Sequence, residues 1–390
     1  MNRCPTLALA FALCLITCAV NLPAPLYPAY AQLSGAGAGA TAVAFAAYVV
    51  GVVPVLLLLG GLADRTGRKP LIAIGLVLTI ASTSLLLIAP GLYSLAMARC
   101  LLGVGTALAS ATGIAYMTEL MAGQGGDPAR AASWVTASTS VGFGGGAAAT
   151  SLFLMQGDSL APGSFWLQIG LATLALAALA RLPDPAPHRR SAMLRLPFYP
   201  RASLRYGLAI LLAWATSGVV IAILPSVLNS RGLAHWAGFS TFSVISCGLL
   251  FQPLAKRMPR ARAVAVGLAI LPPSYGLIAW GAIQGHLPAV LLGTLAASSA
   301  CYGFIYLGGL AAVTAQAGNE KTRASAGFFL LAYAGFSLPV VFTGMLADRL
   351  SPAVALWVFG AALTLGVLAL LPAMFKAPVV GARGPVSADA

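Results

Sequence analysis

The chain has 390 residues, of which 59% are hydrophobic and only 8% charged. Soluble domains average roughly 45–50% apolar and about 25% charged residues, so the composition excludes an ordinary soluble fold and indicates a polytopic membrane protein. The formal net charge of +14 could signal a nucleic-acid partner in a soluble protein, and the positions of the basic residues must decide.

Apolar runs long enough to cross a membrane occur twelve times, since a helix needs about 20 residues to span about 30 Å of hydrocarbon. The first run also resembles a secretory signal peptide, but its apolar character continues to Tyr30 without a clear cleavage site, so we interpret it as helix 1. The predicted helices span residues 7–29, 41–62, 70–89, 92–117, 132–155, 163–181, 206–228, 236–254, 262–283, 287–312, 324–346 and 352–375.

The basic residues fit one topology of these helices. With the N-terminus in the cytoplasm, all 22 Lys and Arg residues except Arg99, Arg231 and Arg349 fall in cytoplasmic segments. Short loops rich in Lys and Arg stay on the cytoplasmic side, so the charge is a topology signal and does not indicate nucleic-acid binding. We expect both termini in the cytoplasm and a bacterial-type inner membrane.

A Pro- and Arg-rich interval divides the helices into six and six. The predicted organisation is an N-terminal bundle at 1–181, a cytoplasmic linker at 182–205 and a C-terminal bundle at 206–390. LADRTGRKPL at 62–71 aligns with LAKRMPRARA at 254–263, and RAAS at 130 matches RASA at 323 with nearly the same shift. The two halves are therefore predicted to be parallel repeats.

GGLADRTGRKP at 60–70, between helices 2 and 3, concentrates charge in an apolar chain. With twelve helices and a basic central linker, it resembles the loop motif of the major facilitator superfamily, close to G-x-L-A-D-R-x-G-R-K. Arg99 and Gly103 resemble the R-x-x-x-G motif in helix 4 of proton-coupled members. STSVGFGGG in helix 5 is similar to the antiporter motif, with Phe143 where that motif has proline.

The resemblance implies a latch between the two halves. Asp64 would face the positive N-terminal end of helix 11, and Arg68 would pair with an acid at the cytoplasmic end of helix 4, where this chain has Glu119. Glycine permits close approach and tight turns, and the basic residues hold the loop at the cytoplasmic face. A purely loop-orienting role is the alternative. The predicted latch comprises Gly60, Asp64, Arg65, Gly67, Arg68 and Glu119.

Arg99 is predicted to lie about two turns into helix 4 from the outer side. An Arg in hydrocarbon costs at least roughly 2.5–3.5 kcal/mol, so it should face a central cavity or a partner, or else reach the outer interface. No predicted helix interior contains a carboxylate, and the polar residue of helix 1 is Asn21. A strongly cationic substrate therefore has no obvious counter-charge.

Polar and aromatic side chains at membrane depth suggest the substrate path. Pro23, Pro25 and Pro28 interrupt helix 1, and freed carbonyls are tolerated only beside a cavity or protein. Tyr116, Gln168 and Tyr275 are further polar candidates, with packing as the alternative for any single residue. The predicted substrate or coupling residues are Asn21, Tyr27, Tyr48, Arg99, Phe143, Trp214, Tyr302, Tyr306 and Tyr333.

The stretch GMLADR at 344–349 repeats part of the loop motif at the opposite face. Helix 2 runs inward and helix 11 outward, so Asp348 is expected at the outer surface. The repeat counterpart of Asp64 is Lys256, and the sequence assigns no role to Asp348.

The sequence as a whole predicts an all-α major facilitator fold and a secondary transporter, with no cofactor and no metal. The three His residues, His188, His235 and His286, lie in loops or at helix ends, and the sequence has no H-E-x-x-H motif, no paired intramembrane carboxylate and no phosphate-binding loop. Repeated halves fit alternating access better than a channel. We expect a monomer that exports small hydrophobic or amphiphilic compounds, with protons as the coupling ion. The alternative is a carrier for an anionic or zwitterionic metabolite that pairs with Arg99.

Overall fold

A computed structural model describes residues 4–58, 62–122, 127–183 and 197–375, and this part of the chain is helical throughout its membrane segments. Twelve segments, α1 to α12, correspond in order to the twelve predicted helices. They are Cys4–Leu33, Ala38–Leu58, Lys69–Ile88, Leu92–Ala122, Pro128–Leu154, Gly163–Ala180, Leu204–Ser230, Ala234–Lys256, Arg260–Gln284, Leu287–Gln316, Gly318–Arg349 and Pro352–Met374.

Eleven of these segments are long and apolar enough to cross a membrane by length and composition. The remaining one, α5, has 27 residues and is long enough, but its many Ser, Thr and Gly residues lower its hydropathy. Those small residues suit a helix packed between others, because they let backbones approach closely. The predicted all-α polytopic fold is confirmed.

Several segments are interrupted within the membrane. In α1 the regular helix ends at Asn21, and a 3-10 turn at Ala24–Leu26 precedes a second helix at Tyr27–Leu33. Proline lacks an N–H and cannot continue the hydrogen-bond ladder, which accounts for the break at Pro23 and Pro25. In α10 a π-helical stretch occupies Ser299–Ile305, and such stretches are frequent at functional sites.

The end of the predicted linker belongs to the C-terminal half. The helix of α7 begins at Leu204, two residues inside the predicted linker. Phe198 donates its backbone N–H to the carbonyl of Arg323, and the Tyr199 hydroxyl donates to the carbonyl of Ser203. Burial raises the pKa of the Tyr199 phenol above its ordinary value. Residues 184–196 of the linker lie outside the described residues.

The two halves meet mainly along two helix pairs, α2 with α11 and α5 with α8, with smaller contacts of α1 with α7 and α8 and of α2 with α7. We call the face assigned to the cytoplasm by charge the inner face, and the opposite one the outer face. Near the outer face, Gly238 of α8 donates its N–H to Ser151 of α5 at 2.9 Å. Deeper along the same pair, the Ser246 hydroxyl donates to the carbonyl of Ser140 at 2.7 Å. The halves are therefore closed together from the outer face to the middle of the membrane.

Glycines in α5 make this packing possible. A Cβ atom on Gly142 would overlap the carbonyl oxygen of Cys14 in α1, and one on Gly144 would lie 2.7 Å from the Cα of Phe242 in α8. Real Cβ atoms do not come this close to backbone. Gly142 therefore allows α5 to contact α1, and Gly144 allows it to contact α8. Gly145, by contrast, has nothing within 4 Å of the same position.

We predict that Gly142→Ala lowers thermal stability whereas Gly145→Ala does not. Both changes gain about 1 kcal/mol of helix propensity, but only the first must displace backbone, at a cost of about 1–3 kcal/mol. Melting temperatures of the two purified variants in the same detergent, compared with the unmodified protein, test this. An equal shift for both variants would contradict the close packing of α5 on α1.

Candidate functional site

Arg99 of α4 is completely buried (0% exposed), seven residues from the outer end of its helix. All of its hydrogen-bond acceptors are neutral oxygens. Its Nε donates to the carbonyl of Phe45 at 3.2 Å, and its Nη1 donates to the carbonyl of Val20 at 2.8 Å. Weaker contacts of Nη1 reach Asn21 Oδ1 at 3.4 Å and the Tyr27 hydroxyl at 3.3 Å. The alternative in which Arg99 reaches the outer interface is wrong.

The break in α1 supplies this environment. Asn21 ends the first helix of α1 and Tyr27 begins the second, so the bend places both polar side chains beside Arg99. Asn21 also donates its Nδ2 to the carbonyl of Phe143 in α5 at 2.9 Å. One amide thus connects α1 with α4 and α5. Phe143 contributes its backbone carbonyl oxygen to the site, whereas the sequence motif had pointed to its side chain.

Two rings of α2 cover the guanidinium. Its carbon lies 4.3 Å from the ring centre of Phe45 and 5.1 Å from that of Tyr48. A cation over an aromatic face gains about 0.5–1 kcal/mol at exposed sites and about 2 or more when desolvated. These rings and the four oxygens offset much of the cost of burying a charge in the absence of a carboxylate. Nη2 of Arg99 is buried and has no hydrogen-bond partner among the described residues.

Gly103, the glycine of the R-x-x-x-G motif, lets α4 approach α2 at this depth. A Cβ atom there would lie 3.0 Å from Val52 N and closer still to the carbonyl oxygen of Tyr48. The close approach also allows the Tyr48 and Thr106 hydroxyls to form a hydrogen bond of 2.8 Å. The motif therefore positions Tyr48 as well as Arg99.

An aromatic cluster continues from Arg99 into the C-terminal half. Trp214 of α7 lies 5.2 Å from Tyr333 and 6.3 Å from Tyr302, measured between ring centres. Its indole Nε1 is buried without a hydrogen-bond partner. We call the following group the aromatic surface: Phe45, Tyr48, Trp214, Tyr302, Tyr306, Phe329, Tyr333 and Phe336.

The two halves contribute to this surface together. Phe45 and Phe336 pack with ring centres 4.7 Å apart, and Tyr48 lies 6.2 Å from Tyr333. α2 therefore carries rings that contact Arg99 in its own half and α11 in the other half. Movement of the halves must change these contacts.

The predicted latch residues that the structure describes lie at the inner face. Arg68 forms an ion pair with Glu119, the two side chains being 18% and 28% exposed. Both belong to the N-terminal half, so this pair joins α4 to the α2–α3 loop and does not itself connect the halves. Gly67 has a positive φ of 85°, which favours glycine at the turn between the helix Leu62–Thr66 and α3. Arg65 is exposed.

Lys69 has a defined role next to the latch. Its Nζ donates to the carbonyl oxygens of Ala180 at 2.8 Å and Leu182 at 2.7 Å, at the end of α6. A lysine suits the last carbonyls of a helix, which carry partial negative charge. Gly60 lies outside the described residues, as does the side chain of Asp64. The contact of Asp64 with α11 therefore stays a prediction.

Three other polar candidates are not part of the site. Tyr116 donates to the carbonyl of Pro183, Gln168 to that of Leu15 and Tyr275 to that of Leu356, at 2.7, 2.9 and 3.0 Å. Each of these side chains is thus bonded to a backbone carbonyl, as the packing alternative expects of a buried polar group.

Sequence reasoning missed Phe45, Phe329 and Phe336, because aromatic residues were selected for their polar groups, apart from Phe143, which was selected for its motif position. The signal was available: Phe329, Tyr333 and Phe336 follow one another at intervals of four and three residues, which places them on one helical face. Phe45 precedes Tyr48 by three residues in the same way.

The chemistry of the site is that of binding. Within the described ranges no group of His, Cys, Asp or Glu could hold a metal ion. Stacked rings, hydroxyl groups and two donors without partners, Arg99 Nη2 and Trp214 Nε1, can bind a ligand that combines an aromatic or apolar body with acceptor atoms.

Solved transporter structures have a similar fold. A mutant form of the nucleoside transporter NupG is 14% identical, with a TM-score of 0.79 over 95% of this chain and 100% of that one. A D-xylose-proton symporter is 17% identical, with a TM-score of 0.68 over 94% and 96%. The human organic anion transporter MFSD10 (TETRAN) is 17% identical, with a TM-score of 0.57 over 95% and 99%. At these identities the likeness concerns the fold alone.

A comparison with curated protein sequences gave no match. The sequence description of the Major Facilitator Superfamily, in contrast, matches residues 9–333, most of the chain and parts of both halves. The chain belongs to the major facilitator superfamily and is a multi-pass membrane transporter.

Proposed function

We propose that this transporter exports small, uncharged hydrophobic or amphiphilic compounds by alternating access of its two halves. The observation that carries the proposal is the aromatic surface, which is shared by both halves and lies next to Arg99. A compound bound there would touch residues of α2, α7, α10 and α11. Such a compound can pass from one face to the other when the halves rock around it.

The electrostatics favour an uncharged substrate. The described partners of Arg99 are all neutral, so the site keeps one positive charge, and a cation would meet repulsion without a compensating acid. Aromatic faces bind planar apolar groups at little entropic cost, and the two free N–H donors suit carbonyl or ether oxygens. The similar fold of a nucleoside transporter is compatible with this class, because a nucleoside is an uncharged compound with an aromatic ring.

Export in exchange for protons is the part of the proposal that rests on the motifs of helices 4 and 5. The usual carboxylate of proton-coupled drug exporters is replaced here by Asn21, which is hydrogen-bonded to α5. We therefore expect transport to respond to a pH gradient without dependence on one intramembrane acid.

A second candidate follows from one specific observation. Nη2 of Arg99 is buried without a partner, and a carboxylate is the acceptor that a guanidinium binds best. The chain would then carry an anionic or zwitterionic metabolite, and an organic anion transporter shares its fold. Substrate charge separates the two candidates.

The first test compares three labelled compounds that share one aromatic ring system and carry an amide, a carboxylate or an amine. In proteoliposomes we expect the amide to be transported fastest and the amine slowest. Arg231→Ala, in an exposed outer loop, is the matched control for Arg99→Ala. If only the carboxylate is carried and Arg99→Ala alone abolishes its flux, the metabolite carrier replaces the exporter. Repeating the assay with and without an imposed pH gradient tests the coupling.

The second test concerns Trp214. Trp214→Ala should lower the flux of the amide up to about tenfold, because a buried aromatic contact contributes about 0.5–1.5 kcal/mol. Trp214→Phe should recover the flux that depends on ring stacking, but not the part that depends on a hydrogen bond from Nε1 to the transported compound. Trp280, which is 45% exposed near the outer end of α9, provides the control Trp280→Ala. Equal losses in Trp214→Ala and Trp280→Ala would exclude the aromatic surface as the path.

A further inference from the structure

Asp348, at the outer end of α11, binds the beginning of α2 in the other half. Its Oδ1 accepts a hydrogen bond from the backbone N–H of Ala38 at 2.7 Å, and its Oδ2 accepts one from Gly39 at 2.9 Å. The first N–H groups of a helix lack intrahelical partners and carry partial positive charge, so a carboxylate is a favourable acceptor for them. The two bonded residue pairs are 310 and 309 positions apart in the sequence, so the contact joins the two halves.

The backbones around this contact fit closely. A Cβ atom on Gly39 would lie 2.7 Å from Asp348 Oδ2 and 3.3 Å from the Cα of Met345. In return, a Cβ atom on Gly344 of α11 would lie 2.8 Å from the carbonyl oxygen of Ala38. Glycine is thus required on both sides of the crossing. The carboxylate of Asp348, an exposed residue, lies at the outer edge of this closely fitted junction between the halves.

This arrangement relates two similar hexapeptides of the sequence, GGLADR at 60–65 and GMLADR at 344–349. The LADR at 62–65 follows α2 at the inner face, and the LADR at 346–349 ends α11 at the outer face. α2 and α11 pack beside each other and run in opposite directions. Family resemblance implies that Asp64 caps the start of α11 at the inner face. Asp348 makes the corresponding contact with the start of α2 at the outer face.

We propose that Asp348 is the latch of the outer gate, a positioning residue that stabilises the conformation closed at the outer face. Opening that face separates the end of α11 from the start of α2, which breaks both hydrogen bonds. The α2–α11 pair then carries one carboxylate latch at each face, Asp348 for the outer gate and Asp64 for the inner gate. This inference rests on alternating access, one part of the proposed function, and is independent of the substrate class.

The other helix pair provides a remote reporter of the outer gate. The N–H of Gly238 in α8 is bonded to Ser151 Oγ in α5, and no residue of this contact belongs to α2 or α11. If Asp348 stabilises closure of the whole outer face, its loss must expose this amide as well. A simple helix cap would affect only the start of α2.

The experiment is hydrogen–deuterium exchange of the purified full chain in lipid nanodiscs, without substrate. Asp348→Asn should speed exchange several-fold at peptides containing Ala38 and Gly39 and also at peptides containing Gly238. Asp127→Asn is the matched control, because Asp127 caps α5 within its own half through the N–H of Ala129. It should leave both reporters unchanged.

Two outcomes would overturn the inference. Faster exchange at Ala38 and Gly39 with unchanged exchange at Gly238 would reduce Asp348 to a local cap, and unchanged exchange at both would remove it from the gate. Should Asp348→Asn fail to fold, Gly39→Ala keeps the carboxylate but forces α2 away from α11, and it must speed exchange at Gly238 in the same way. The assay needs no transport, so failure of the substrate proposal does not affect its result.

Discussion

Burial of the Arg99 guanidinium constrains the outer part of the N-terminal half. A cation at this depth without a carboxylate must be held by neutral oxygens and aromatic faces, and no single helix can supply both. α1 provides the Val20 carbonyl because its helix is broken, and α2 provides the Phe45 carbonyl and two rings. The proline-rich bend of α1 and the glycine contact between α2 and α4 both serve this arrangement.

The same helix, α2, which contacts Arg99, also contacts the other half. Tyr48 is hydrogen-bonded to α4 on one side and packs against Tyr333 of α11 on the other. At the outer end of α2, backbone amides bind Asp348. The proposed substrate path and the proposed outer gate thus lie at two levels of one contact between α2 and α11. A ligand that separated the rings of Tyr48 and Tyr333 would act on the helix that Asp348 contacts.

Much of the fold could be predicted from the sequence, because hydropathy and the charge of loops report on the membrane directly. Even α5, whose Ser, Thr and Gly residues weaken its apolar signal, was recognised as an apolar run of sufficient length. Asn21, Tyr27 and Arg99 were each selected from the sequence as unusual polar residues at membrane depth, and the structure places them side by side. The two carbonyl acceptors of Arg99, at Val20 and Phe45, could not be predicted, because backbone carbonyls have no sequence signature.

The role of Asp348 escaped sequence reasoning for a related reason. Its acceptor function depends on backbone amides of a helix about 310 residues away, and local composition gives no sign of them. Alignment by repeats also misled, because parallel repeats pair Asp64 with Lys256. The relation between Asp64 and Asp348 is instead one between antiparallel neighbours that end at opposite faces. If Asp64 caps α11 as the family resemblance implies, each of the two helices ends in a carboxylate that binds the start of the other. On this proposal the repeated LADR reflects the contact between α2 and α11, since the repeat alignment pairs Asp64 with Lys256.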